Sequence, residues 1–278
     1  MDVIQHILEI RNKISDLKAK NFRIGFVPTM GALHEGHLSL VRKAKEECNI
    51  VVVSIFVNPI QFNKPEDLKN YPRTIDNDLL MLEKENCDLV FTPSEAEMYP
   101  KTETLSFDFG ALDKVMEGAF RPGHFIGVAI VVKKLFEIIQ QDKAYFGEKD
   151  FQQLQIIKEL VRQLNIPVEI IGCPIIREKD GLAMSSRNAL LDPKMRILAP
   201  EIYKSLQNAA LMERSCTPQI LKEIVINEIN ATGLRVEYFE ISNPQTLLPI
   251  SDWKAITDAI GCIAVQAGKV RLIDNIKL

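Results

Sequence analysis

Apolar positions along this chain follow two rhythms, and their alternation predicts the architecture. Residues 22–27 form a short apolar run that ends at Pro28, a residue with no N–H to donate to a sheet ladder. From Gly36 the rhythm turns helical, with Leu38, Val41 and Ala44 at three-residue steps. Residues 50–57 are rich in β-branched apolar side chains, the pattern of a strand buried on both faces of a parallel sheet. Further strand candidates at 88–92, 143–146 and 168–173 are separated by helical patterns at 74–85, 125–140 and 151–164. Ahead of them, Val3, Ile4, Ile7, Leu8, Ile14 and Leu17 predict one amphipathic helix. The alternation predicts a Rossmann-like, doubly wound parallel α/β sheet over residues 1–176.

After Pro174 the pattern changes. A polar stretch at 177–192 leads into helical patterns at 201–211 and 219–230, then strand patterns at 236–242, 259–266 and 270–277. This predicts a smaller α+β domain over residues 177–278 with an antiparallel sheet, in which Ala267-Gly268 favours a hairpin between the last two strands. There is no internal repeat and no low-complexity segment.

The 278 residues carry a formal net charge of -3 with no stripe of Lys or Arg, which argues against a nucleic-acid partner and for a small-molecule one. The cysteines, Cys48, Cys87, Cys173, Cys216 and Cys262, are odd in number, scattered and without a CxxC, as expected of reduced core thiols. No long apolar run suggests a secretory signal or membrane span, so the expectation is a cytoplasmic protein. The glycine-rich dinucleotide fingerprint, the Walker A loop and the G-x-S-x-G elbow are all missing.

Candidate chemistry concentrates where the first strand turns into the first helix of that unit. Gly31 and Gly36 let the backbone pass close to a ligand, and the opening helical turn offers N–H groups and a positive dipole end to an anion. His34 and His37, three residues apart, can both address one phosphate as donors or proton carriers. The alternatives are two ordinary surface histidines, or zinc, for which no partner ligands lie nearby in sequence. Three more polar segments follow predicted strand ends, where ligands of open α/β sheets bind. In Asn58-Pro59-Ile60-Gln61-Phe62, a plain loop explains Asn58 and Pro59, while Gln61 is placed to hydrogen-bond a neutral or hydroxylated ligand. In Phe146-Gly147-Glu148-Lys149-Asp150, Lys149 is a solvated cation or a phosphate ligand, and Asp150 a helix cap or a ribose partner; Gln152 and Gln153 follow in the next helical turn. Met184-Ser185-Ser186-Arg187 is either a polar interdomain linker or a cluster of phosphate donors.

These residues carry a resemblance. Pro28-Thr29-Met30-Gly31-Ala32-Leu33-His34-Glu35-Gly36-His37 resembles the HxGH signature of the nucleotidyltransferase superfamily, and Met184 to Arg187 resembles its mobile KMSKS-type loop, with Ala183 where that loop has its first lysine. Together with Tyr71-Pro72-Arg73-Thr74, Arg121-Pro122-Gly123-His124-Phe125 and the segments after residues 56 and 146, the match narrows to the pantoate–β-alanine ligase (pantothenate synthetase) family over nearly the whole chain. The resemblance implies a homodimeric enzyme that uses ATP and Mg²⁺ to convert (R)-pantoate to pantoyl adenylate and joins it to β-alanine, with the smaller domain closing over the active site. It puts ATP along Met30, Gly31, Ala32, Leu33, His34, Glu35, Gly36 and His37, and against Gly147, Glu148, Lys149, Asp150, Ile176, Met184, Ser185, Ser186 and Arg187. His37 is then the proton donor, and Gln61 and Gln153 hold pantoate, Gln61 also near β-alanine. The magnesium ligands stay open, since Asp76-Asn77-Asp78 serves equally well as helix N-terminal charge. The rival readings are another adenylyl-transferring enzyme on the same scaffold, which a phosphorylated substrate would have equipped with more Arg or Lys, and a non-catalytic nucleotide-binding module.

Overall fold

The computed structural model describes residues 1–278 except Lys64, Thr102 and Glu213, and of Ala255 the backbone only. It divides into two compact units: Met1–Phe109, Arg121–Glu148 and Gln153–Pro174 form the first, and Gly110–Phe120, Lys149–Gln152 and Ile175–Leu278 the second.

The first unit is a six-stranded parallel sheet of β1 (Asp2–Ile4), β2 (Ile24–Thr29), β3 (Ile50–Ile55), β4 (Leu89–Phe91), β5 (Lys143–Gly147) and β6 (Glu169–Cys173), in the order β1-β4-β3-β2-β5-β6. The chain winds outward from β2 through β3 to β4 and then returns to β2's other side with β5. The strand order therefore reverses between β2 and β5, and a crevice at the carboxyl ends of those strands is where open α/β sheets take ligands. Pairing between them covers only Gly25 with Lys143 and Phe26 with Ala144.

Pro28 lies inside β2, opposite Ser54, rather than ending the strand. The carbonyl of Ile24 faces β5, accepting from Asp142 N, whereas that of Thr29 faces β3, accepting from Phe56 N. Alternation along the strand turns the Pro28 nitrogen toward the β5 side, beyond the last paired residues, so no ladder bond is lost.

β3 meets the expectation of burial on both faces, with Val51, Val52 and Val53 wholly enclosed. One face is covered by Leu38, Val41 and Ala44 of α2 (Glu35–Glu47). Phe26 meets Phe136 of helix His124–Ile139 edge-on, ring centroids 6.3 Å apart. The N-terminal expectation needs correction: Asp2–Ile4 is a strand paired in parallel with Leu89–Phe91, and only Ile7–Ala19 (α1) is helical. Three residues are too few to show a strand period, so Val3 and Ile4 blended into the helical pattern of α1; Leu8 is in fact 72% exposed.

The second unit holds an antiparallel sheet of β7 (Arg235–Ser242), β8 (Ile260–Ala267) and β9 (Val270–Lys277). Ala267 pairs with Val270, and Gly268, at φ +61°, makes the hairpin turn in the left-handed region. β8 shows the two-residue period: Ile263, Val265 and Ala267 pack with helices Glu201–Leu211 and Pro218–Ala231 on one face, while Ile260, Cys262 and Ala264 pack with Met116 and Phe151 on the other. Arg271 fastens the stretch around Met116 by a two-pronged ion pair with Glu117, at 2.7 and 2.6 Å, and the Tyr238 hydroxyl donates to the same carboxylate at 2.8 Å.

At the end of α2, Glu47 accepts from Lys143 at 2.8 Å and from the Tyr145 hydroxyl at 3.0 Å. The Lys143 bond first and Lys43 second hold its carboxyl at about 2, below its ordinary 4.5. A lowered folded value contributes stability above the unfolded one, and that contribution is lost as pH falls from about 4.5 toward 2. Replacing Glu47 by Gln should therefore flatten the decline of melting temperature across that window, read by circular dichroism at stepped pH; an unchanged slope would remove Glu47 from the acid response.

Candidate active site

The β2–α2 turn runs against backbone preference. Gly31 sits at φ +78°, and Ala32 is also left-handed at φ +48°, a conformation that costs a non-glycine residue about 1–2 kcal/mol. A Cβ on Gly31 would stand 3.0 Å from an Asp78 carboxylate oxygen and 3.1 Å from Ile55. What holds the turn is Asp78, only 1% exposed. Its Oδ2 accepts from Ala32 N at 2.9 Å and its Oδ1 from Leu33 N at 2.8 Å, with the Thr74 hydroxyl donating to Oδ1 at 3.0 Å. Thr29 adds a second tie, its Oγ accepting from Gly31 N at 3.2 Å and donating to Ser54 O at 2.8 Å.

The turn delivers His34 as the N-cap of α2. His34 Nδ1 accepts from Gly36 N at 3.1 Å, and His37 Nδ1 accepts from His34 N at 3.3 Å, a reciprocal capping box made by two imidazoles. Because both Nδ1 atoms accept, each neutral ring carries its proton on Nε2, which becomes its donor atom. The rings lie with centroids 4.1 Å apart. The N–H groups of Ala32, Leu33 and Gly36 are used inside the turn. Glu35 is exposed and pairs with Arg42.

Gln61 is buried in the same unit, at the end of the 3-10 turn Pro59–Gln61. Its Oε1 accepts from Asn58 Nδ2 at 3.0 Å, and its Nε2 reaches Met30 Sδ at 3.2 Å, which brings it against the histidine turn. Asn58 in turn donates to Gly127 O at 3.1 Å and accepts from the Tyr99 hydroxyl at 2.8 Å. The backbone of Gln61 is fixed as well, since His124 Nδ1 donates to its carbonyl at 2.9 Å. Arg121 stands 3.2 Å from His124 Nε2, which must then accept, so both contacts require one tautomer. A Cβ on Gly127 would lie 2.6 Å from Ile60 O, so only glycine lets the helix come this close.

At the end of β5, Gly147 pairs with Cys173, and Glu148 follows half-buried. Gln153 is half-buried in the first turn of helix Phe151–Leu164.

In the second unit, the Lys149 side chain is 17% exposed, with Nζ 3.9 Å from an oxygen of exposed Asp150. Gln152 is spent on structure, its Nε2 donating to Leu112 O at 2.7 Å and Val115 O at 2.8 Å and its Oε1 accepting from Glu117 N at 2.9 Å. Met184 N donates to Ile176 O at 3.0 Å, and Ser185 Oγ caps the 3-10 turn Ser186–Leu190 by accepting from Arg187 N at 3.3 Å. Ala183, where the related loop carries lysine, is 3% exposed and bridged to Arg177.

A family described as pantoate-beta-alanine ligase matches residues 2–277. The chain belongs to that family. Among curated relatives, the pantothenate synthetases of Bacteroides thetaiotaomicron and Porphyromonas gingivalis are 50% and 48% identical, covering 100% of this chain and 99% of each relative. Among solved structures, the pantothenate synthetase of Thermus thermophilus is 42% identical over 99% of both chains with a TM-score of 0.93. A pantoate-beta-alanine ligase from Francisella tularensis, complexed with beta-gamma ATP and beta-alanine, is 38% identical over 99% of this chain and 97% of that one, with a TM-score of 0.85.

For this ligase-family site, sequence reasoning passed over two residues. Asp78 read as helix charge or a metal ligand, but both its oxygens are committed to the turn. Asn58 read as plain loop, but it is 1% exposed and orients Gln61. A buried side chain that serves distant backbone leaves no mark in local pattern. Among the described residues no group of three or more His, Cys, Asp or Glu could hold a metal ion. Asp76 and Asn77 are exposed on helix Ile75–Lys84, Asn77 donating to Met81 Sδ at 3.3 Å.

Replacing Asp78 by Ala leaves two turn amides without their acceptor, and at about 1–3 kcal/mol for each unsatisfied group the urea midpoint should drop well below that of Asp78→Asn, which keeps one acceptor. Equal midpoints for the two variants would mean that the carboxylate does not hold the turn.

Proposed function

We propose that this ligase-family enzyme condenses (R)-pantoate with β-alanine in two steps, with MgATP as the activating substrate. A carboxylate oxygen of pantoate attacks the α-phosphorus, the bond to the bridging oxygen breaks, and pyrophosphate leaves. The β-alanine amine then attacks the acyl carbon of the adenylate, loses its proton, and expels AMP. The observation that carries the reading is the capping box of His34 and His37, which leaves both rings with Nε2 as donor atom, in a chain matched to the family from residue 2 to residue 277.

The proposed roles follow from residue chemistry. Negative charge spreads over the phosphate oxygens and the departing pyrophosphate, so fixed donors lower the barrier electrostatically. These donors are His34 and His37, with His37 as proton donor, together with Lys149, Ser185, Ser186 and Arg187; the other residues of Met30 to His37, Gly147 to Asp150, Ile176 and Met184 to Arg187 line the nucleotide. Mg²⁺ enters with the phosphates, in keeping with its habit of binding substrate oxygens and water rather than a full protein cage. Gln61 and Gln153 are neutral amides suited to pantoate's hydroxyls and to a carboxylate that must stay nucleophilic, and Gln61 also serves β-alanine. No enzyme nucleophile is required. The family resemblance extends the proposal to a cytoplasmic homodimer; among the described residues no helix is long and apolar enough to cross a membrane.

Pantoate alone should support exchange of labelled pyrophosphate into ATP, and His37→Ala should slow that exchange by about 10²–10³-fold, the scale for one preorganised donor. Exchange that strictly needs β-alanine would overturn the adenylate, and unaltered exchange in the variant would return His37 to an ordinary surface residue.

Gln61→Ala and Gln153→Ala should each weaken pantoate binding by about 1–3 kcal/mol, with ATP affinity nearly unchanged when each ligand is titrated alone by calorimetry. The opposite pattern would move these glutamines to the nucleotide.

A further inference from the structure

Two segments of the second unit carry proposed nucleotide ligands, Lys149-Asp150 and the stretch from Ile176 to Arg187, and neither is held by regular secondary structure alone. Both are tied to one point on β9. Asp274 is 5% exposed and accepts two bonds from the Arg177 guanidinium, at 2.6 and 3.0 Å. The guanidinium also donates to Gly181 O at 3.2 Å and stacks with its carbon 3.5 Å from the centre of the Tyr203 ring. Gly181, at φ +92°, has room for no Cβ, which would come within 2.8 Å of Tyr203. The Arg177 side chain thus ties Gly181 back to the start of a loop whose backbone is bridged from residue 177 to Ala183, immediately before Met184. The next residue on β9, Asn275, is 7% exposed; its N–H donates to Asp274 Oδ1 at 2.8 Å, and its Nδ2 donates to the carbonyl of Lys149 at 3.0 Å.

We propose that Asp274 and Asn275 are positioning residues for adenylyl transfer: a single step of β9 sets the placement of Lys149 through Asn275 and of the Met184–Arg187 loop through Asp274 and Arg177. The physical case rests on geometry and burial. A buried carboxylate with a planar two-pronged partner admits one arrangement, and a bond to a main-chain carbonyl fixes where the lysine stem starts without touching its charge. Burial pushes the Asp274 carboxyl above the usual carboxylate range, against the pull of Arg177. A misplacement of about 1 Å of a group that positions the reacting phosphates costs up to about 10²-fold in rate, and fixing the backbone of Lys149 guards its proposed phosphate contact against that loss.

This inference rests on the reading of Lys149 as a phosphate ligand, and one cycle separates the two. Pyrophosphate exchange with pantoate and ATP is measured for wild type, Lys149→Ala, Asn275→Ala and the double variant, with urea midpoints for each. Asn275→Ala should lower kcat/KM for ATP by about 10–100-fold with a smaller change in KM for pantoate. In the Lys149→Ala background, removing Asn275 should cost less than about threefold, because coupled residues are not additive. If Lys149→Ala is impaired and Asn275→Ala behaves as wild type, the positioning role is wrong and the nucleotide reading stands. If the two losses multiply, Asn275 acts elsewhere and the proposal falls. If Lys149→Ala exchanges normally, the nucleotide reading of Lys149 fails and takes the proposal with it. Should the alanine variant unfold, Asn275→Asp, which keeps the volume and removes the donor, is read in the same cycle with the same outcomes.

Discussion

A buried carboxylate that accepts from two consecutive amides is the constraint on which the rest of the first unit's site depends. Asp78 sits on a helix far along the chain from the turn it serves, yet it offsets the backbone cost of left-handed Gly31 and Ala32 by satisfying Ala32 N and Leu33 N at 2.9 and 2.8 Å. With the turn fixed, His34 falls at the N-cap and His37 one helical turn later, and the two rings can then cap each other. The tautomer of both imidazoles is thus a downstream effect of how a strand-to-helix turn is closed.

The same economy runs through the neighbouring residues. Buried polar groups must be partnered, and here the partners do double service: Asn58 holds Gln61's oxygen while accepting from Tyr99, and His124 holds Gln61's carbonyl while accepting from Arg121. A neutral amide held on both main chain and side chain is what the proposed hold of Gln61 on pantoate requires. Gln152 and Gln153 show how finely such roles divide: Gln152 is buried and wholly given to the backbone of residues 112–117, whereas its successor is half-buried.

Much of the fold was legible in the sequence because period and burial are local signals. The run at Val51–Val53 needed both faces covered, and it is enclosed on both; the alternation of β8 and the hairpin at Gly268 were written in residue types. The misses share a cause. The strand Asp2–Ile4 exists only because Leu89–Phe91 offers it an edge, and Pro28 stays in β2 only because its nitrogen faces the side where β5 no longer pairs. Neither condition is visible within a window of residues.

By itself the sequence determined the alternation of strands and helices, the family, and the residue types able to handle a phosphate and a carboxylate. The tertiary structure alone decided which polar groups are spent and on what. Helix propensity and motif spacing are properties of neighbours along the chain, whereas the bonds from Ala32 and Leu33 to Asp78, from Arg177 to Asp274 and from Asn275 to Lys149 join residues 45 to 126 positions apart. Such pairs form only after the hydrophobic layers have brought their elements together, and so their identity is a consequence of packing.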